Sequence, residues 1–523
     1  MKKILFLVFG LFLACNSSQK TVSPPESSSS SAAEVTASAE NYAGTITEGE
    51  LKDHLYIYAS DEFGGRETGK EGQKKAVEYI KKEYQKLGIP AAKEDGDYFQ
   101  NVPLEMAKLP IGTITIDDKL YTIGKEFLTF SGNISAYDEI VYVGYGIEEG
   151  DYSDFKDIDV TDKIVLMKFG EPKNADGSYV LSGSNDKSAW SNMSESIGKR
   201  TEVAKAKGAK AILYYDTANY ARYKRYFDYM QRNKSGNMGL KSEDKNPTLI
   251  IMGTTMAKDI LPNIEEAANL EVKTAKVSLD LNSENDQISS ENVAAIVRGS
   301  EIPNEYVIIS SHLDHIGITA DGQINNGADD DGSGTVAMLE IAEAFKMAAD
   351  KGNGPKRSIV FLHVTGEEKG LLGSMYYTDL DPIFPLSQTV ANLNIDMIGR
   401  IDPKRDGDRN YVYLIGSDKL STDLHELSEE INEKYAGLEL DYKYNDDNDP
   451  NRFYYRSDHY NFAKNNIPII FYFNGTHADY HRPGDTPDKI NYDLLENRSR
   501  LIFHTAWAVA NRDQRVIVDK ATK

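Results

Sequence analysis

His312, Asp330, Glu368, Asp396 and His481 stand far apart in the chain. Each nevertheless ends an apolar run or sits in a turn, within VIISSHLDH, NNGADDDGSG, SIVFLHVTGEE, VANLNIDMIG and ADYHRPGD. Two imidazoles and three carboxylates are a donor set suited to Zn²⁺, and a bridging carboxylate lets two such ions sit ~3.5–4 Å apart. Glu367 and Glu368 follow a hydrophobic strand, where their mutual repulsion and desolvation are costly without a cation. Asp396 follows Leu393–Ile395 and meets the same difficulty. Asp314, two residues after His312, is placed to hold the other ring N–H of that imidazole.

The elements that must position these groups are legible as apolar periodicity. Tyr306–Ser310, Ile359–Val364, Val390–Ile395 and Ile467–Phe473 read as strands, and Gly334–Ala349, Ser421–Tyr435 and Leu494–Asn511 as helices. Near-continuous apolar strands alternating with helices predict an α/β fold, a mostly parallel central sheet with helices on both faces. Ligands of such sheets bind beyond the carboxyl ends of the strands, where His312, Glu368 and Asp396 fall. Earlier, Ala76, Val77, Ile80, Tyr84 and Leu87 share one helical face, with Gly88 as the stop. From about Val102 to Asn285 the texture is β-rich (GTITI, EIVYVGYGI, DKIVLMKFG), with a helix-like Arg200–Gly208 leading into a strand, Ala209–Tyr215. The Tyr- and Arg-rich stretch from Tyr220 to Tyr229 lines a cleft or, more commonly for such a pattern, is a solvated helix face over an aromatic stripe.

A chain of 523 residues exceeds one ordinary domain of ~150 residues. Its net charge of −23 argues against a nucleic-acid partner. The single cysteine, Cys15, follows Met1-Lys2-Lys3 and an apolar run from Ile4 to Ala14 that is too short for a stable spanning helix. This reads as a bacterial lipoprotein signal over residues 1–15, with Cys15 lipidated and the protein held at the cell envelope, in the periplasm, at the outer membrane or on the surface. Membrane contact is then through the lipid only. Residues 16–42, rich in Ser, Pro, Ala and Glu, read as a flexible tether.

Three other chemistries were weighed. The loop from Asp329 has EF-hand spacing, with Gly334 sixth and Glu340 twelfth. The turn sequence before it and the helical periodicity starting inside it disfavour calcium. No G-x-S-x-G and no H-E-x-x-H occurs, which removes the nucleophile elbow and the helix-borne single-zinc site.

S-H-x-D-H, G-A-D-D-D-G-S-G, G-E-E-x-G-L-L-G-S, N-x-D-M-I-G and D-Y-H-x-P-x-D occur in this order. In that order the chain resembles the dinuclear-zinc aminopeptidases, relatives of glutamate carboxypeptidase II, the transferrin receptor ectodomain and, more distantly, glutaminyl cyclases. The resemblance extends from about Tyr42 and includes Ser60–Gly69. It implies two Zn²⁺ per chain, with Asp330 bridging, His312 and Asp396 completing one ion, and Glu368 and His481 the other. It implies Glu367 as general base and acid, Tyr480 as oxyanion donor, and Asp314 as orienter of His312. Arg456 and His459, in R-S-D-H, are weaker candidates for substrate contact. It also implies a phosphorylase–hydrolase-like catalytic domain over 43–101 and 286–515, an inserted protease-associated domain over 102–285, and a tail at 516–523. The expected activity is removal of N-terminal residues from peptides with a free α-amine, by a water shared between two zincs and deprotonated by Glu367. A glutaminyl cyclase-like acyltransferase, a receptor without chemistry and a carboxypeptidase on acidic dipeptides remain alternatives on the same scaffold.

Overall fold

The computed structural model describes residues 39–520 apart from 135–136, 194, 234–235, 242–245 and 267–270. The leader ending at Cys15 lies outside the described residues, as does the 16–42 tether except for 39–42, where Ala39 and Tyr42 are already buried. Strands of the first sheet are β1 (Phe99–Ala107), β2 (Asn237–Leu240), β3 (Asp286–Val297), β4 (Ile302–His312), β5 (Arg357–Val364), β6 (Thr389–Ile395), β7 (Tyr411–Ile415), β8 (Glu439–Asp441) and β9 (Ile469–Phe473). The helices that pack on it are α1 (Glu48–Tyr58), α2 (Glu71–Leu87), α3 (Gly334–Asp350) and α4 (Tyr492–Asn511).

The strand order is β2-β1-β3-β5-β4-β6-β9-β7-β8. Its centre, β5-β4-β6-β9, is parallel throughout, and β1, β2 and β3 flank it antiparallel. Alternation along each central strand explains why helices cover both faces. Val307, Ile309, Ile359, Phe361, Leu393 and Ile395 join one core with α1 to α4. Ile308, Val360 and Leu362 point the other way, into a second core with Tyr377 and Phe462. Each such side chain stabilises the fold by about 1.5–3 kcal/mol when fully buried. The expected helix near Gly72–Leu87 is α2, and Gly88 takes the left-handed conformation (φ 68°) that ends it. The sequence did not announce α1, whose apolar residues form no clear stripe; Thr47 caps it by accepting from the Glu50 N–H.

The second sheet runs from Ile111 to Asn282 and is built around Glu271–Asn282, Tyr137–Tyr142, Ile164–Lys168, Ala211–Tyr215 and Thr248–Met252. It has its own cores on its two faces. The expected insert, 102–285, starts inside β1, whose residues pair with β3 in the first sheet, Leu104 opposite Ile288. The change of sheet comes at 108–110 and again at 283–285. Asn237–Leu240 reaches back from the second sheet's segment to add the edge strand β2. The Tyr- and Arg-rich stretch is a helix, Tyr220–Asn233, with Phe227 and Met230 buried beneath exposed Tyr226 and Tyr229.

Candidate metal centre and cleft

The parallel register sets three strand ends level. His312 on β4 pairs with Val364 at the end of β5, and Ser310 with Asn394 near the end of β6. Glu367 and Glu368 therefore leave one strand, and Asp396 its neighbour but one, on the same edge as His312. Asp330 comes from the loop that enters α3, and Tyr480 and His481 from the loop after β9.

The five expected donors converge in two groups around Asp330. Its Oδ1 lies 3.2 Å from His312 Nε2, which is also 3.6 Å from Asp396 Oδ1. Its Oδ2 lies 3.1 Å from His481 Nε2, which is 3.1 Å from Glu368 Oε2. A tetrahedral zinc with ligands ~2.0–2.1 Å away keeps those ligands about 3.3 Å from one another, so this spacing fits two ions bridged by one carboxylate. His312 Nε2, Asp330 Oδ2 and Glu368 Oε1 are buried and make no hydrogen bond among the described residues. Buried acceptors without a donor are costly, and a cation in each group would satisfy them.

Electrostatics agrees. Burial opposes ionisation of Asp330, yet His315, His312 and His481 hold its carboxyl well below the usual range. Burial likewise lowers the His481 pKa, but the Asp330 and Glu368 carboxylates bonded to it prevail and lift it to about 10. Negative charge at Asp330 and Glu368 favours a positive partner, which a bound cation would supply.

The supporting contacts correct one expectation. The Nδ1 of His312 lies 3.0 Å from the backbone carbonyl of Asp314, not from its carboxylate. With the proton on Nδ1, that carbonyl orients the ring and leaves Nε2 free for a metal. The buried Asp314 carboxylate instead accepts from Thr68 Oγ1 (2.7 Å) and from the N–H of Glu367 (3.2 Å), fixing the turn that carries the general-base candidate. The calcium reading also falls, because the three consecutive aspartates face different partners. Asp331 accepts from the N–H groups of His312, Gly334 and Met397, and Asp329 from that of Gly399. Asp485, which closes the D-Y-H-x-P-x-D motif but was given no role, accepts from the N–H groups of Asp329 and Asp330 at 3.0 and 3.1 Å. Asp330 is thus left facing the two candidate metal groups, and its neighbours tie the surrounding loops together.

A cleft opens on this cluster, lined by Asp330, Glu367, Asp396 and Tyr480 and by the apolar Met397, Phe453, Phe471 and Phe473. Burial, reinforced by Glu368 and Asp396, pushes the Glu367 carboxyl well above its ordinary range against the pull of His312. Burial, with Asp330 and Glu368 adding to it, also raises the Tyr480 hydroxyl, so it stays protonated and able to donate. The Tyr480 ring stacks on His481 with centroids 3.9 Å apart. Arg456 lines the cavity and lies over the Phe453 ring. His459 does not reach it. Its ring is buried, stacks on Phe471 and bonds through Nε2 to the Tyr454 carbonyl at 2.8 Å, a packing role.

Sequence reasoning passed over one imidazole that the structure brings into the centre. His315, fully buried, places Nδ1 2.9 Å from Glu368 Oε1 and 3.7 Å from Asp330 Oδ2. Its signal was present in S-H-x-D-H as a second histidine one turn-length past the first, beyond the end of β4.

Fold and cluster together form an α/β scaffold with residues that could hold metal ions at the carboxyl edge of its sheet. Residues 292–506 match the model of Peptidase family M28, and the matched stretch holds every expected donor while leaving out the second sheet. Among relatives, the probable leucine aminopeptidase 2 of Aspergillus oryzae (strain ATCC 42149 / RIB 40) is 25% identical over 488 residues, covering 88% of this chain and 82% of that protein. Aminopeptidase YwaD of Bacillus subtilis (strain 168) is 28% identical over 265 residues, 46% of this chain and 49% of that protein. The solved aminopeptidase from Aneurinibacillus sp. strain AM-1 is similar with a TM-score of 0.46 at 19% identity, over 92% of this chain and 98% of that one.

Proposed function

We propose that the protein is an envelope-anchored metallo-aminopeptidase that removes N-terminal residues from peptides, with two zinc ions held by His312, Asp330, Glu368, Asp396 and His481. The observation that carries this reading is Asp330, whose two oxygens each face a different imidazole–carboxylate group. Two such ions, when bound, supply an activated water and polarise the scissile carbonyl. Glu367 stands beside both groups without being needed as a donor. Its raised proton affinity suits a carboxyl that takes a proton from water and returns it to the leaving amine. Tyr480 donates toward the oxygen on which charge develops. Met397, Phe453, Phe471 and Phe473 exclude water around an apolar side chain. Relatives named as aminopeptidases support the choice of peptide end. The lipoprotein-like leader supports anchoring at the envelope, and the second sheet is proposed to be the inserted protease-associated domain.

One observation favours a second reading. Arg456 lines the cavity with no ion-pair partner among the described residues, which suits recognition of a substrate carboxylate, as a carboxypeptidase on acidic dipeptides requires. A panel of aminoacyl reporter substrates and dipeptides, assayed with metal content, separates the two. Release from free N-termini with none from N-blocked peptides supports the aminopeptidase. Equal turnover of N-blocked acidic dipeptides would overturn it.

A further inference from the structure

Three features outside the assigned roles stand out: the His315 imidazole, the buried Asp329–His477–Asp485 group and the exposed Tyr220–Asn233 face. His315 is carried furthest by geometry. We propose that His315 is a fourth protein donor to the ion shared by Asp330, Glu368 and His481, which makes the two metal sites unequal. This rests on the two-metal reading above.

The argument begins with the backbone. His315 leaves the end of β4 just past His312, and its N–H donates to the Arg66 carbonyl, which pins the segment. Arg66 is itself buried and donates to the carbonyls of Leu313, Asn326 and Gly327, so the ring stands on a braced turn. The Gly327 backbone passes close beneath it: a Cβ at that position would lie 2.6 Å from the His315 ring, so only glycine fits. The imidazole is thereby pressed toward Glu368.

At 2.9 Å, His315 Nδ1 and Glu368 Oε1 are close enough to hydrogen-bond, yet neither atom has a hydrogen-bond partner among the described residues. With Asp330 they form one group whose ligand atoms all lie within 4.8 Å of one another. The half-exposed His481 meets the same two carboxylates, with its ring centroid 5.8 Å from that of His315. Both ring nitrogens of His315 lack a bond, a costly state for a buried imidazole that a cation at Nδ1 relieves.

The consequence is asymmetry. His312, Asp330 and Asp396 supply three protein donors, whereas Asp330, Glu368, His481 and His315 supply four. Zinc is four-coordinate in closed structural sites and keeps a position free where it does chemistry. The four-donor site is then the retentive one, and the three-donor site is where exchange and substrate contact occur.

The test uses the full-length protein labelled with ¹⁵N-histidine and loaded with ¹¹³Cd²⁺. Scalar ¹¹³Cd–¹⁵N coupling passes only through a bond, so three coupled rings are expected, those of His312, His481 and His315. In His315→Gln one coupling is lost, and chelator competition shows one site weakened at least ~10-fold with the other unchanged. Two coupled rings in the loaded wild type would overturn the role of His315 alone, and need no variant to fold. Failure of the wild type to take up cadmium or zinc would overturn the two-metal reading with it.

Discussion

The two sheets treat buried charge in opposite ways. Beside the second sheet the buried Arg200, on the helix Ser196–Ala206, spends its guanidinium on carbonyls, donating to Tyr145, Trp190, Ser196 and Gly170. Nearby Asp154 accepts from the Ile147 N–H and the Tyr152 hydroxyl. At the carboxyl edge of the first sheet, His312, His315, Asp330 and Glu368 keep buried atoms with no hydrogen bond among the described residues. Both groups of residues that could hold a metal, among those described, lie there. Polar groups completed by the chain itself are architecture. Polar groups left incomplete at one point in space mark where something else must bind.

The sharpest way to break this contrast is to neutralise the general-base candidate. Glu367→Gln is expected to lower kcat by about 10²–10⁴-fold, while metal content and melting temperature stay near wild type. A variant that lost its metals, or kept full turnover, would show that Glu367 is not the proton carrier.

Arg200→Met probes the other half. Four carbonyls lose their donor, and the expected loss of stability is about 3 kcal/mol or more, since each unsatisfied buried group costs ~1–3 kcal/mol. Denaturant unfolding reads that loss. Metal uptake and turnover of the folded fraction should be unchanged, and an equal fall in metal affinity would mean the two halves are coupled.

The smallest effect sharpens the comparison within one sheet. His363 on β5 pairs in register with Ser311, next to His312, but bonds the Tyr84 hydroxyl instead of carboxylates. Burial pushes its pKa down to about 3. Because the folded value is depressed below the unfolded one of ~6.5, the unfolded chain binds more protons between those limits. This contribution to stability is present above about pH 6.5 and lost as pH falls toward 3, by up to ~1.4 kcal/mol per pH unit. His363→Gln should flatten the stability–pH slope in that window. An unchanged slope would show that other groups set the acid limit.

How much could be read in advance depended on the kind of interaction. Parallel strands buried on both faces are apolar runs, so β4, β5 and β6 and the donors at their ends were visible as composition alone. β1 was not separated from the second sheet, because Phe99–Ala107 alternates like any half-buried strand and its partner lies far along the chain. Spacing places Asp314 near His312 but does not tell its carbonyl from its carboxylate, because which of them meets the ring depends on the backbone direction.

Residue types and their order set the chemistry: imidazoles and carboxylates at strand ends, with a second glutamate beside a ligand candidate, are a metal-hydrolase vocabulary wherever the chain folds into parallel strands. The partition among those groups was decided only in three dimensions. Which aspartate of Asp329, Asp330 and Asp331 faces the centre, and the arrival of His315 beside Glu368, depend on loop paths fixed by contacts distant in sequence, such as Asp485 holding the Asp330 N–H and Arg66 bracing His315. Local periodicity reports burial, which is a property of each element. Convergence is a property of the packing between elements, and no local pattern encodes it.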